Sequence, residues 1–333
     1  MSDLAIPVAF RLSRRRFGRV AATGGLAVAL LAVLLPLNIV LDPKSFAAGS
    51  IGTTLGLTAP LIIAAIASTP PILSGGGGID LSVGPLMGLV NGLVVQEAIT
   101  SWGLSGPEVI VPLALGMGLA SGLLNGVLAA VLRIQPIVAT LGTYLVYSGL
   151  TLWVVPTPGG SVPGWIADLA GSWSIVPIAA CLLAWWALTR LPFYEHLMGV
   201  GGDQRAAYAS GVRVTHVRIA AYAVGGLFAG VGGIALTALL GSTDPAVGPT
   251  YTLTAIASVA LGGVSLAGGR GGVVGASIGA IDIFLVQNIL THFNASSFTL
   301  QVAYGAILVA AVTLNAAAAK LLIARRTQRN ALA

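Results

Sequence analysis

The chain has 333 residues, of which 56% are hydrophobic and 8% charged, with a formal net charge of +6 and a mean hydropathy of +0.95. A soluble domain carries about 25% charged residues, so this composition excludes one. The pI near 9.9 does not point to nucleic acid, because Lys and Arg sit at the ends of apolar runs and not on a face interleaved with stacking aromatics.

The first residues carry Arg11, Arg14, Arg15, Arg16 and Arg19. Ser13-Arg14-Arg15-Arg16-Phe17 has the form of a twin-arginine export signal, but the apolar run behind it is long and more follow. It is read as a basic flank that holds the first helix with its N-terminus inside, with no cleaved signal. A spanning helix needs about 20 apolar residues. Such runs fall at 21–41, 52–73, 79–99, 109–132 and 137–155 in the first half, and at 175–191, 217–240, 253–266, 273–290 and 298–323 in the second.

Threading these ten runs from the inside brings together the basic tail, Arg133, the group Arg190, Arg205, Arg213 and Arg218, then Arg270, and finally Lys320, Arg325, Arg326 and Arg329. Of the 16 Lys and Arg residues only Lys44 falls outside, beside Asp42, Glu108, Asp168 and Asp244. Short loops rich in Lys and Arg resist export, which sets the orientation. Merging two neighbouring runs breaks the pattern, so the count is even: ten, with eight as the alternative. The expected fold is an all-α integral membrane protein, a polytopic bundle of about ten transmembrane helices with broken or re-entrant segments. Residues 1–20 and 324–333 are expected as basic cytoplasmic tails around a membrane domain at 21–323. The longest polar stretches are 156–173 outside and 192–215 inside; no internal repeat is visible by eye.

Three segments stand out. In Pro70-Pro71-Ile72-Leu73-Ser74-Gly75-Gly76-Gly77-Gly78-Ile79-Asp80-Leu81-Ser82, two prolines and four glycines interrupt an apolar region. Such a break at membrane depth survives only inside protein or beside a watery cavity, and a charge there is costly. The segment reads equally as a pathway break at Gly77, Gly78, Asp80 and Ser82, or as a turn whose Asp80 caps the next helix. The second, 249–272, contains Gly262, Gly263, Ser265, Gly268, Gly269, Gly271 and Gly272 around Arg270. It lacks the Gly-x-x-x-x-Gly-Lys-Ser/Thr phosphate loop, and a second glycine-interrupted region in the later half points to a transport path. The third, within the inside loop 192–216, runs Gly202-Asp203-Gln204-Arg205-Ala206-Ala207-Tyr208-Ala209-Ser210-Gly211. Asp203 can cap a short helix there and Gly211 can end it, giving either a docking element for a partner's groove or a plain linker.

Nothing reads as catalytic. His196, His216 and His292 lack Cys or carboxylate neighbours at metal spacing, Cys181 is alone in an apolar run, and no nucleophile elbow occurs. No metal site and no resident cofactor are expected. Asn91, Asn125, Gln135, Gln287, Asn288 and Asn315 either line a path for a hydroxyl-rich solute or bond helix to helix.

Gly77-Gly78-Ile79-Asp80-Leu81-Ser82-Val83-Gly84 resembles the signature of the ribose/xylose/arabinose-type ABC transporter permeases. Arg205-Ala206-Ala207 with Ser210-Gly211-Val212 resembles that family's coupling segment, and Gly262-Gly263-Val264-Ser265 with Gly268-Gly269-Arg270-Gly271 its late glycine segment. The resemblance runs from about Ile51 to Asn315; Asp203 departs from the family's usual Asn, with capping ability retained. It implies a multi-pass permease of a bacterial inner membrane that imports a monosaccharide or related polyol. Implied partners are a cytoplasmic ABC ATPase that uses ATP and Mg, an external sugar-binding protein, a second permease copy or paralogue, and membrane lipid. Gly202, Asp203, Arg205, Ala206, Ala207 and Gly211 are implied as the ATPase-coupling element. The runner-up readings are a nucleoside or branched-chain amino-acid ABC permease, and an ATP-independent secondary transporter using Asp282 in the ninth run; a membrane enzyme comes last.

Overall fold

The computed structural model describes residues 25–296, 298–311 and 313, so both basic tails and the end of the tenth apolar run lie outside the described residues. In chain order the helices are α1 (Gly25–Leu41), α2 (Ile51–Leu73), α3 (Val83–Gly92), α4 (Pro107–Ala130), α5 (Pro136–Val154), α6 (Gly164–Asp168) and α7 (Ile175–Leu188). They continue with α8 (Pro192–Gly202), α9 (Gln204–Ala209), α10 (Val214–Leu240), α11 (Val247–Leu261), α12 (Val273–His292) and α13 (Phe298–Ala311). α3 runs on into a π-helical segment, Leu93–Ser101, and among the described residues the joined element is one of six helices long and apolar enough to cross a membrane, or seven with α7 and α8 taken as one bent span. α1, α11 and α13 are shorter apolar helices, so the expected ten is approximate. All ten apolar runs contain helix, and the protein is a multi-pass, all-α membrane bundle.

Three boundaries differ from the sequence expectation, each for a local reason. The third span starts at Val83 and not at 79, because the glycines leave residues 75–82 outside helix. The eighth helix is α11, shifted towards the N-terminus by about five residues, because Gly262 and Gly263 end it. The stretch 192–216, read as a loop, is mostly helical. Residues 189–191 bend the chain by 84° between α7 and α8, and Pro192 supplies the fixed backbone angle of a first helical turn. α8 therefore runs across the axis of α7, with Leu197 and Val200 buried beneath it.

The helices meet through small residues. α4 presents Gly118, Gly122 and Gly126, four apart and so on one face, to Tyr222, Gly226 and Gly230 of α10. A Cβ on Gly126 would lie 2.9 Å from Ile219 Cα, so the backbones touch. Lipid is as apolar as leucine, so close backbone packing and not hydrophobic burial joins membrane helices. α3 is buried along its whole length, enclosed by α5, α10 and α11. α12 packs on α1, α2 and α11.

Helix alternation sorts the ends. Arg133, Arg205 and Arg218 line one cavity at one end of the bundle, while Trp102, Trp153 and Trp173 are exposed at the other. Trp153 is 79% exposed, suited to the interfacial level where indole rings sit. At the arginine-bearing end Arg190 stacks its guanidinium 4.5 Å over the Trp186 ring.

Candidate functional site

At the arginine-bearing end α2 stops after Leu73, and Gly75, Gly76 and Gly77 follow with φ of +73°, +63° and +73°. Three consecutive left-handed residues are open to glycine alone at no steric cost. The chain then returns through Asp80, which is 5% exposed, into α3. Asp80 does not cap α3: its Oδ1 accepts from the Ser82 backbone NH at 2.9 Å and from Ser82 Oγ at 2.7 Å, closing the turn just before the helix. Asn125 of α4 donates to both carboxylate oxygens at 3.3 Å and to Ser82 Oγ at 2.8 Å. Thr143 of α5 donates to Asn125 Oδ1 at 2.9 Å. Thr140, one turn earlier, donates to Ile79 O at 3.2 Å and accepts from Leu81 N at 3.1 Å. A desolvated carboxylate is held by four donor contacts in a chain of bonds that ties the break to α4 and α5.

The short helix expected after Asp203 is present as α9. Asp203 Oδ1 accepts from the backbone NH of Arg205 at 2.9 Å and of Ala206 at 3.1 Å, the N-cap geometry its sequence position suggested. Gly211 follows the helix with φ +84°. Ala207 is buried and seats α9 on the bundle, so it offers nothing outward; Arg205, Ala206 and Tyr208 are exposed, Tyr208 by 75%. Tyr208 was not singled out in the sequence, although its place one residue past Ala207 puts it on a different face.

In the late glycine segment, Gly262 packs on Gly275 of α12 and Gly263 has φ +77°. Ser265 closes the loop through its backbone, donating from N to Arg270 O at 3.0 Å and accepting from Gly268 N at 2.9 Å.

The three segments meet. Gly269 N donates to Leu73 O at 3.1 Å, joining the late loop to the end of α2. Gly201, in the last turn of α8, lies between them: a Cβ there would meet Leu73 O and would sit 2.5 Å from Gly269 N. A Cβ on Gly75 would lie 2.9 Å from Gly201 Cα, and one on Gly268 would reach Gly75 N at 2.7 Å. Arg218 of α10 donates from Nη2 to Gly75 O at 2.8 Å. The helix leading into α9 thus touches both glycine-interrupted loops backbone to backbone, with no intervening side chain that could absorb a displacement.

Asn91 lies elsewhere. It sits near the other end of α3 with no exposed surface, donating to Thr237 Oγ1 at 3.1 Å and Ser242 O at 2.9 Å and accepting from Thr243 Oγ1 at 2.9 Å. It fastens α3 to the α10–α11 turn, which an antiparallel bridge between Gly159 and Thr243 also holds. Among the described residues no group of three or more His, Cys, Asp or Glu could hold a metal ion.

The model of a family described as branched-chain amino acid transport system / permease component matches residues 50–317. The ribose import permease protein RbsC of Escherichia coli K12 is 34% identical, over 86% of this chain and 92% of its own length. RbsC of Bacillus subtilis 168 is 35% identical over 72% of this chain and 76% of its own, and the D-allose transport system permease protein AlsC of E. coli K12 is 30% identical over 72% and 75%. No solved structure matches the chain. With the family match spanning the whole described bundle beyond α1, including the Asp80 turn, α9 and the late glycine loop, the chain belongs to this family of transport permease components.

Proposed function

We propose that this chain is the membrane-spanning permease subunit of an ATP-binding-cassette importer that carries a monosaccharide or related polyol into a bacterial cell. The observation that carries this reading is the backbone junction of Gly75, Gly201, Gly268 and Gly269, which gives α9 a rigid connection to the two broken segments. In this reading the arginine-bearing end is cytoplasmic and α9 sits in a cleft of the ATPase. Tyr208 is the anchor, since an exposed, rigid aromatic supplies much contact area at little entropic cost. ATP and Mg act in the ATPase, and the permease itself performs no chemistry. Movement of α9 displaces the loops after α2 and α11 together, which selects between discrete packings and not a continuum.

The polar side chains Asn91 and Asn125 are fully engaged within the bundle. We take the path to run between two permease copies, with an external binding protein delivering the sugar. The names of the relatives, ribose and allose import permeases, support a sugar over an amino acid or nucleoside.

Reconstitution with the cognate ATPase and binding protein tests this. ATP-driven uptake of ribose or another monosaccharide is expected, and Tyr208→Ala lowers uptake about thirtyfold while the ATPase still hydrolyses ATP, as loss of an interface anchor worth roughly 2 kcal/mol implies. Uptake of a nucleoside or of leucine in place of any sugar overturns the substrate class; unchanged coupling in Tyr208→Ala overturns the role of α9.

A further inference from the structure

Beside α9 a cavity of about 670 Å³ opens at the arginine-bearing end, lined by Arg133, Arg205 and Arg218 together with Gln135, Gln204 and Tyr208. The arginines come from separate elements: the α4–α5 turn, α9 and the first turns of α10. No acidic residue lines the cavity, and among the described residues neither Arg133 nor Arg205 has a carboxylate partner. The carboxylate closest in sequence, Asp203, has its Oδ1 committed to capping α9. Arg218 uses one guanidinium nitrogen on Gly75 O and keeps further donors.

A second observation comes from the backbone. Arg133 has φ +57°, the left-handed region that long side chains avoid and that glycine would occupy without strain. The turn that ends α4, closed by Ile134 N donating to Leu128 O at 3.1 Å, sets that conformation, and an arginine stands where glycine would fit best, among the residues that line the cavity. Topology alone asks only that arginines lie on this side of the membrane, not that three share one concavity.

We propose that this cavity is a binding site for a phosphoryl group. The chemistry selects the ligand class: a phosphate monoester carries about −1.5 to −2 charges and three acceptor oxygens, enough for three guanidinium forks from three directions, whereas one carboxylate leaves an arginine unpaired. The volume exceeds that of bare phosphate and holds an attached group such as a pentose. Two sources share the chemistry, a soluble sugar phosphate and an anionic phospholipid headgroup. A bound phosphoryl group would pin α9 to the α4–α5 turn and, through Arg218, to the Gly75 loop. If the transport reading holds, occupancy therefore restrains the coupling element; the binding itself does not depend on that reading.

The test uses the full chain alone in phosphatidylcholine nanodiscs, so that a failed transport assay does not bear on it. Inorganic phosphate and ribose 5-phosphate are expected to raise the unfolding temperature saturably, with ribose and chloride at matched ionic strength as controls. Arg133→Gln and Arg205→Gln, both at exposed positions, each weaken this binding about tenfold, the loss of one charge-assisted contact. A stabilisation seen only with phosphatidylglycerol in the disc, and lost in the same variants, assigns the site to lipid. Equal stabilisation by chloride, or parental phosphate binding in both variants, overturns the proposal. So does a chain indifferent to every phosphoryl probe in which Arg133→Gln instead weakens capture of the ATPase, for the cavity then receives an acidic side chain of that partner.

Discussion

Replacing Gly201 by valine is expected to reduce ATP-driven uptake to background while the chain still inserts in the membrane. The new Cβ falls against Leu73 O, 2.5 Å from Gly269 N and 3.0 Å from Gly269 Cα, all of them backbone atoms without a rotamer to change. Overpacking a tight site costs about 1–3 kcal/mol, small against the whole bundle but concentrated at the contact between α8 and the two loops. The strain is relieved by parting that contact, which disconnects α9 from the segments it moves. Gly199, on the same helix, is the control: nothing lies within 4 Å of a Cβ there, so Gly199→Ala keeps parental uptake. Uptake counted per inserted molecule, by radiolabelled sugar and quantitative immunoblot, decides the matter. Parental transport by Gly201→Val refutes a mechanical role for the junction.

Asn125→Leu is expected to be the most destabilising single change in the polar interior. It keeps the branched shape and the number of heavy atoms but removes the donors to Asp80 and Ser82 and the acceptor for Thr143. The Asp80 carboxylate remains buried with only Ser82 to bond it, and hydrogen bonds to charged groups are worth about 1.5–3 kcal/mol. A loss near the upper figure lowers the unfolding midpoint in detergent by about 5 °C or more. Asn125→Asp sets a second carboxyl beside the first, and since two close carboxylates in a desolvated site do not both ionise, its midpoint should fall below the parent's increasingly as pH rises. A midpoint equal to the parent's for both variants would mean that the Asp80 turn is not held by this network.

The spans were legible because an apolar run of about 20 residues has few alternatives in a bilayer, where every backbone polar group must be satisfied within a helix. The α9 cap was legible because Asp203 and Gly211 act locally, on amides two and three residues away and on their own φ. α8 was missed because its polar and glycine-rich composition resembles a loop, and its helicity comes from Pro192 and from packing Leu197 and Val200 on the bundle. The meeting of Gly75, Gly201 and Gly269 was beyond reach: a glycine signals that something approaches closely, but not what does. Asn91 and Asn125 show the same limit for polarity. Each amide has several partners drawn from distant segments, and the residue type alone cannot separate a satisfied helix clamp from a path lining. One signal lay unused: the four-residue spacing of Gly118, Gly122 and Gly126 marks the α4 face that receives α10.

The most direct test of the whole account is site-specific cross-linking from α9. Ala206 is exposed on that helix, and Cys181, the chain's lone cysteine, is buried in α7, so a cysteine at 206 is the reactive one. With a short bifunctional maleimide–photoreactive reagent in inverted membrane vesicles, the Ala206→Cys chain should form one dominant adduct with an ABC ATPase. The yield should change when a non-hydrolysable ATP analogue is added, because the docked helix moves with the nucleotide state. A cysteine at Gly103, on the tryptophan-bearing end, should give no such adduct. Sugar uptake that persists in these vesicles without ATP, with no ATPase captured at 206, would contradict an ATP-driven permease coupled through α9.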